Sequence, residues 1–353
     1  MDRYTPTLKV VGARQIEQWL ERHPQDTFDL VRDTYRSHGS GKTVNPDSYF
    51  LRFPGNDRSR IIALPASLED DDPVAGIKWI SSFPQNLERG IDRASALLIL
   101  NDRETGYPTA CLEGSAISAA RTAASAIVAA HYLHPERRSI RQLGIVGCGP
   151  IALATLSLLV RLGWEIGLLL VADLCAERAR LFREKCGALG VASAAADCAE
   201  TVRTSDMVLF ATSAGAPHVD DAGWFAHCPT VLHLSLRDLA PAVILSAQNF
   251  ADDIGHCMKA ATSVDLTSRE VGHRRFMAGD ITDLIDARVK PDLSRARIFS
   301  PFGMGVLDLA LARAITRSLR KEDAVVIDDF FPSPYIDRRD PVAPAEKGMG
   351  RRL

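Results

Sequence analysis

Leu143-Gly144-Ile145-Val146-Gly147-Cys148-Gly149-Pro150-Ile151-Ala152 is an apolar strand that enters a glycine-rich turn and opens into a helix. Gly147 permits a tight turn, Gly149 lets the backbone approach a pyrophosphate, and Ala152 leaves room for the helix to pack on its sheet. The helix that opens at Pro150 presents unpaired N–H groups from Ile151 onward and a positive dipole end, which favour an anion. Such a triplet alone is a weak signal; its surroundings strengthen it. Asp173 ends the next apolar run, about 20 to 30 residues on, where an acid accepts hydrogen bonds from an adenosine ribose. Asp173 also suits a cap for the helix starting near Cys175. A carboxylate there repels a 2′-phosphate, so NAD is expected rather than NADP, with Arg178 the one nearby cation opposing that choice. Thr212-Ser213-Ala214-Gly215 closes a later strand where cofactor ribose and phosphate lie, and reads equally as an ordinary turn.

Outward from this turn, strands and helices alternate as they do in a parallel sheet. Ser139 to Val146, Glu165 to Asp173, Asp206 to Thr212 and Thr230 to Leu236 read as strands, and Pro150 to Gly163 and Cys175 to Leu189 as helices. Phe250 to Asp253 and Ala296 to Ser300 add candidate strands, and Val306 to Leu319 a last helix. Upstream, Leu8 to Val11 predicts a strand, Ala13 to Arg22 and Asp26 to Ser37 helices, and a series of short runs from Tyr49 to Leu112 a mixed sheet. The alanine-rich stretch from Ser115 to His131 predicts a long, closely packed helix joining two halves. The expected fold class is therefore α/β, a Rossmann dinucleotide-binding domain over 123–302 plus an α+β domain over 1–122. The latter is completed by about 303–340, and 341–353 reads as a loose tail.

Composition narrows the function classes. A chain of 353 residues, 46% hydrophobic and 24% charged, is an ordinary globular protein of about two domains. A net charge of -2 gives no electrostatic case for nucleic acid or an anionic membrane. No apolar run is long enough to span a bilayer. Seven scattered cysteines without a CxxC pair argue against a disulfide framework and a thiolate metal site. No metal and a cytoplasmic location are the expectations. His218 and His233 fall near strand ends without metal-ligand spacing, and read as packing or surface residues.

Several runs together resemble the ornithine cyclodeaminase/mu-crystallin family. They are Gly76-Ile77-Lys78-Trp79-Ile80, Leu97 to Asp102 with Thr105-Gly106-Tyr107-Pro108, Ala120-Arg121-Thr122-Ala123-Ala124, and Gly147 to Ala152. Arg60 to Pro65, Glu88 to Ser95 and Pro301-Phe302-Gly303-Met304-Gly305 resemble the branch that acts on N-(2-amino-2-carboxyethyl)-L-glutamate. The resemblance implies a homodimer, an NAD cofactor, an amino-acid substrate and a set of site residues. Lys78 and Arg121 would grip the substrate α-carboxylate, with Arg52 as an upstream carboxylate ligand. Arg93 would take a further carboxylate, and Asp238 would be the general base. Thr122, Gly147, Gly149, Pro150, Ile151, Asp173, Thr212 and Met304 would face the cofactor. Cyclodeaminases carry a glutamate where this chain has Ile62. Its loss points to oxidation of an amine followed by imine hydrolysis, rather than ring closure.

The same resemblance admits an ornithine cyclodeaminase, an alanine dehydrogenase, a cyclic imine reductase or a noncatalytic binding protein like mu-crystallin. The residues taken alone also allow blander roles. Lys78 could face solvent from an alternating strand, Arg52, Arg93 and Arg121 could lie on solvated faces, and Asp238 could start a turn.

Overall fold

The computed structural model describes residues 6–332, so the expected tail at 341–353 lies outside the described residues. Two eight-stranded sheets organise the chain. The first is built from β1 (Leu8–Val11), β2 (Thr43–Val44), β3 (Tyr49–Phe53), β4 (Asn56–Leu68), β5 (Val74–Ser82), β6 (Ala94–Asn101) and β7 (Pro108–Glu113). The second comprises β8 (Ser139–Val146), β9 (Glu165–Ala172), β10 (Ser193–Ala195), β11 (Met207–Phe210), β12 (Thr230–His233), β13 (Gln248–Ala251), β14 (Met277–Asp280) and β15 (Arg297–Phe299). A last strand, β16 (Val325–Ile327), returns to the first sheet antiparallel to β1.

The second sheet runs β10-β9-β8-β11-β12-β15-β13-β14 with every neighbouring pair parallel. Its central strands are buried along their length, as the apolar runs require when helices cover both faces. The first sheet runs β16-β1-β7-β6-β5-β4-β2, with β3 also paired to β4. It is a mixed sheet, parallel only where β1 meets β7. One face carries the helix Gly305–Ser318 across β4, β5 and β6. On the other face Tyr49, Leu51, Trp79 and Leu97 are exposed.

The helix Ser115–Leu133 leads from β7 in the first sheet toward β8 in the second. Its small side chains let it pack tightly on the helices Pro24–Gly39 and Pro150–Arg161, and most of its alanines are wholly buried. β11 and β12 end sooner than the apolar runs suggest. Beyond Phe210 and His233 the chain turns out of the ladder, with Leu234 and Ser235 both donating to the Phe210 carbonyl. No helix among the described residues is long and apolar enough to cross a membrane.

Candidate active site

At the end of β8, Gly147 adopts φ +95°, and a Cβ there would stand 2.8 Å from the Ala211 carbonyl. Only glycine accepts both the conformation and the contact. Gly149 is different, with no atom within 4 Å of where its Cβ would stand. It therefore leaves an open approach to the N-terminus of the helix Pro150–Arg161, with Pro150 at the first helical position and Ile151 next to it. This cradle has the shape and donors that a dinucleotide pyrophosphate needs.

Asp173 sits against the turn with its side chain 6% exposed. Its Oδ2 accepts from the Cys148 N–H at 2.8 Å, and its Oδ1 from the Cys175 N–H at 2.8 Å. The carboxylate thus ties the glycine turn to the start of the next helix, while Arg178 Nη1 lies 3.5 Å away.

The first sheet supplies a second group. Lys78 on β5 is 1% exposed, pointing into the covered face rather than into solvent. Its Nζ donates to Asp308 Oδ2 at 2.7 Å and to Ser118 Oγ at 3.1 Å. Arg121 Nε reaches the other oxygen of Asp308 at 3.3 Å. A buried carboxylate thus bridges two cations, which lowers the cost of burying any one of the three. Burial and the neighbouring Arg121 charge pull the Lys78 pKa down to about 8, with Asp308 opposing them. Asp252 accepts from the Phe302 and Gly303 N–H groups at 2.9 and 2.6 Å, fixing the loop that lies against Arg121. Gly303 adopts φ +94°, and a Cβ there would meet Arg121 Nη1 at 2.7 Å.

The end of the second sheet holds a third group. Asp238 is completely buried. Its Oδ1 accepts from the Thr212 hydroxyl and lies 3.0 Å from His218 Nε2, and its Oδ2 lies 3.3 Å from His233 Nε2. Burial alone would raise its pKa, but bonding and charge at His233 and the bond from Thr212 hold it well below the usual carboxylate range. His233 is also buried and bonds Ser300 Oγ at 3.0 Å, whereas the His218 side chain is 40% exposed. His218 is the part of this group that a small molecule can touch.

A cavity of about 250 Å³ lies beside the first sheet, lined by Phe50, Arg52, Leu64, Lys259, Phe302 and Gly303 among others. Leu64 faces Lys78 across the strands, and Ile62 stands one step along the same face, opposite Ile80. Arg52 is exposed on β3, with its guanidinium 5.4 Å from the Phe50 ring centre. Arg93 Nη1 donates to Ser82 Oγ at 3.2 Å, at the far end of β5 from the cavity's Gly303 side. Thr122 follows Arg121 on its helix and donates to the Ser118 carbonyl at 2.7 Å. Met304 is wholly buried, backbone included.

A profile of the ornithine cyclodeaminase/mu-crystallin family matches residues 11–230, more than half of the chain. The chain belongs to this family. Among curated family relatives, the N-((2S)-2-amino-2-carboxyethyl)-L-glutamate dehydrogenase of Staphylococcus aureus is 27% identical, over 89% of this chain and 96% of its own. The alanine dehydrogenase of Archaeoglobus fulgidus is 28% identical, over 82% of this chain and 89% of its own. The solved structure of an archaeal alanine dehydrogenase dimer with bound NAD has the same fold. Its TM-score is 0.81 at 23% identity, covering 92% of this chain and all of the other.

Within this family fold, Lys78 and Arg121 come together as the sequence suggests, and Gly147, Thr212 and Asp238 gather at the ends of β8, β11 and β12. Asp308, Ser118 and Asp252 are participants that the sequence did not single out, and His218 and His233, expected as packing or surface residues, both lie against Asp238. Asp308 left a trace, a lone acid in the apolar run Val306 to Ala312.

Proposed function

We propose that this protein catalyses the NAD-dependent oxidative hydrolysis of N-(2-amino-2-carboxyethyl)-L-glutamate to L-2,3-diaminopropionate and 2-oxoglutarate, supplying a siderophore or a peptide natural product. Its relatives act on amino acids, and it is an NAD-dependent dehydrogenase acting on a CH–NH bond. The observation that carries the substrate reading is the buried Lys78–Asp308–Arg121 group on the sheet face that also presents Arg52. On that face apolar Ile62 replaces the acid that ring closure uses.

An NAD whose pyrophosphate sits at the Gly147 turn would supply the hydride acceptor. Gly149, Pro150 and Ile151 would frame that pyrophosphate, Asp173 the adenosine ribose, and Thr122, Thr212 and Met304 the nicotinamide end. Lys78 and Arg121 hold the α-carboxylate, which fixes the α-carbon for hydride loss. Asp238 acts through His218, which it orients. His218 takes the proton of the secondary ammonium and releases it to solvent, then takes a proton from the water adding to the substrate iminium. It returns that proton to the nitrogen of the carbinolamine, whose C–N bond breaks as the hydroxyl loses its proton, releasing the two products. Incubating the protein with NAD and synthetic N-(2-amino-2-carboxyethyl)-L-glutamate tests this by mass spectrometry. Both products together support it; proline from ornithine, or no amine oxidised at all, overturns it.

Three residues give independent checks. Gly303→Ala is expected to push the Arg121 guanidinium aside and lower kcat/KM for the amino-acid substrate about tenfold or more in steady-state assays, through the clash and the strained φ. Asp173→Ser is expected to raise the KM for NAD about tenfold and improve the relative use of NADP, because Arg178 then faces the 2′ position without a competing carboxylate. Trp79→Glu is expected to convert a dimer into a monomer by light scattering. Tyr49, Trp79 and Leu97 form an exposed cross-strand row, an apolar face that a second copy would cover.

The same reading divides the chain into a substrate and dimerisation part, 1–122 with about 303–340, and a Rossmann part, 123–302. It also places the protein in the cytoplasm, in keeping with seven free thiols.

A further inference from the structure

The Lys78 group leaves a second concentration of charge on the same sheet face unexplained. Across β3, β4 and β5, Leu64 pairs with Lys78, Phe50 and Ile62 with Ile80, and Arg52 and Arg60 with Ser82. Alternate residues of a strand point the same way, so these three rows share one face. Arg93 joins the last row through its 3.2 Å bond to Ser82 Oγ. Arg237 arrives from the second sheet, next to Asp238. It is anchored by the carbonyls of Ala260 and Ala261 at 2.7 and 2.8 Å, and both of those residues are left-handed.

Among the described residues, no carboxylate lies within 4.0 Å of the nitrogens of these four arginines. Burial and the charges of Arg93, Arg52 and Arg237 draw the Arg60 pKa below its ordinary value. Guanidiniums assembled without a counter-charge repel one another, and a bound polyanion relieves that repulsion. The cavity is lined by neighbours of both cationic groups: Leu64, which pairs with Lys78, Gly303 beside Arg121, Arg52 opposite Arg60, and Ala260, whose carbonyl holds Arg237. Asp47 on that wall is already paired with Lys259. Lys78 and Ser82 are about 13 Å apart along β5 at the usual strand rise. Arginine side chains reaching in from the Ser82 end would leave a gap that an extended polycarboxylate spans.

We propose that Arg60 and Arg237, with Arg52 and Arg93, form a second anion subsite for the distal carboxylate of a di- or tricarboxylic amino-acid substrate whose α-carboxylate sits at Lys78 and Arg121. The inference rests on the dehydrogenase reading and adds the residues that select a polycarboxylate. It also divides the cations by role, with Arg52 grouped with the distal carboxylate. Because Arg237 lies in the segment that follows β12 of the second sheet, the ligand would bridge both halves of the chain.

Calorimetric binding to the NAD-loaded protein tests it with two keto acids of equal length, 2-oxoglutarate and 2-oxopentanoate, which differ in the distal carboxylate. The wild type is expected to bind 2-oxoglutarate about tenfold or more tightly than 2-oxopentanoate. Arg60→Gln and Arg237→Gln are each expected to weaken 2-oxoglutarate about tenfold and leave 2-oxopentanoate within about twofold. Equal binding of the two acids by the wild type, or a loss shared by both ligands in Arg60→Gln, would overturn the subsite. Arg60 makes no side-chain hydrogen bond among the described residues, so Arg60→Gln carries the test even if releasing the Ala260 loop unfolds Arg237→Gln. Keto-acid binding needs no turnover. Failure to form 2,3-diaminopropionate would therefore sink the proposed reaction and leave the subsite result standing.

Discussion

Lys78→Met is expected to lower kcat/KM for the amino-acid substrate about a thousandfold or more, with NAD affinity nearly unchanged, in steady-state kinetics and cofactor titration. The side chain is buried against Asp308 and Ser118, so the variant removes the central cation of the carboxylate grip. It also leaves Asp308 with Arg121 alone, and breaking a buried pair costs about 3 kcal/mol. Lost stability and lost chemistry can be separated. The double variant Lys78→Met/Asp308→Leu is expected to regain part of the stability in denaturant unfolding, since the two most buried charges are gone and only the partly exposed Arg121 loses its partner, and none of the activity. Recovery of turnover in the double variant would show that Lys78 only props the fold.

The pH dependence gives a second fingerprint of Lys78. Its pKa is drawn to about 8 in the folded chain, against about 10.4 for an unfolded lysine. Between those values the unfolded chain binds a proton that the folded chain does not, so Lys78 makes stability rise with pH across this window. The lysine charge that attracts the carboxylate disappears as pH rises through about 8, so KM for the substrate climbs there. Stability and affinity moving in opposite directions over one pH range is a result that a surface lysine would not give.

The parts of this protein legible in its sequence are those whose cause is local. The Gly147 turn is one: its φ, the open approach at Gly149 and the following helix are all set within ten residues. The parallel sheet is another, because its buried strands are continuous apolar runs. Strands of three or four residues, such as β10, β14 and β16, leave too little periodicity to read.

Pairings across the fold were the harder part. Lys78 was legible by resemblance, but its partner lies on a helix more than 200 residues later, and only packing brings Asp308 to it. Arg52 and Arg60 sit opposite each other because the turn after Phe53 sets the hairpin register; their spacing alone does not say so. His218 and His233 lack ligand spacing, and their common partner Asp238 becomes visible only once β11 and β12 lie side by side.

Asp238→Asn is expected to lower kcat by about two to four orders of magnitude while KM for substrate and cofactor changes little. The carboxylate accepts on both oxygens, from Thr212 and the two histidines. An amide keeps the shape but turns one acceptor into a donor, so one histidine must change tautomer or rotate away. Asp238 itself is sealed from solvent and held ionised, which makes it a poor proton carrier near neutral pH and a good orienting group. Its lowered pKa stabilises the fold above the ordinary aspartate range, and that contribution fades as pH falls below about 4. His218→Asn should lower kcat about as far as Asp238→Asn does, since His218 is the exposed member of the group. His233→Asn, buried between Asp238 and Ser300, should lose stability more than turnover. If His218→Asn keeps near-normal turnover while Asp238→Asn does not, the carboxylate acts on substrate directly and its buried site must open during catalysis.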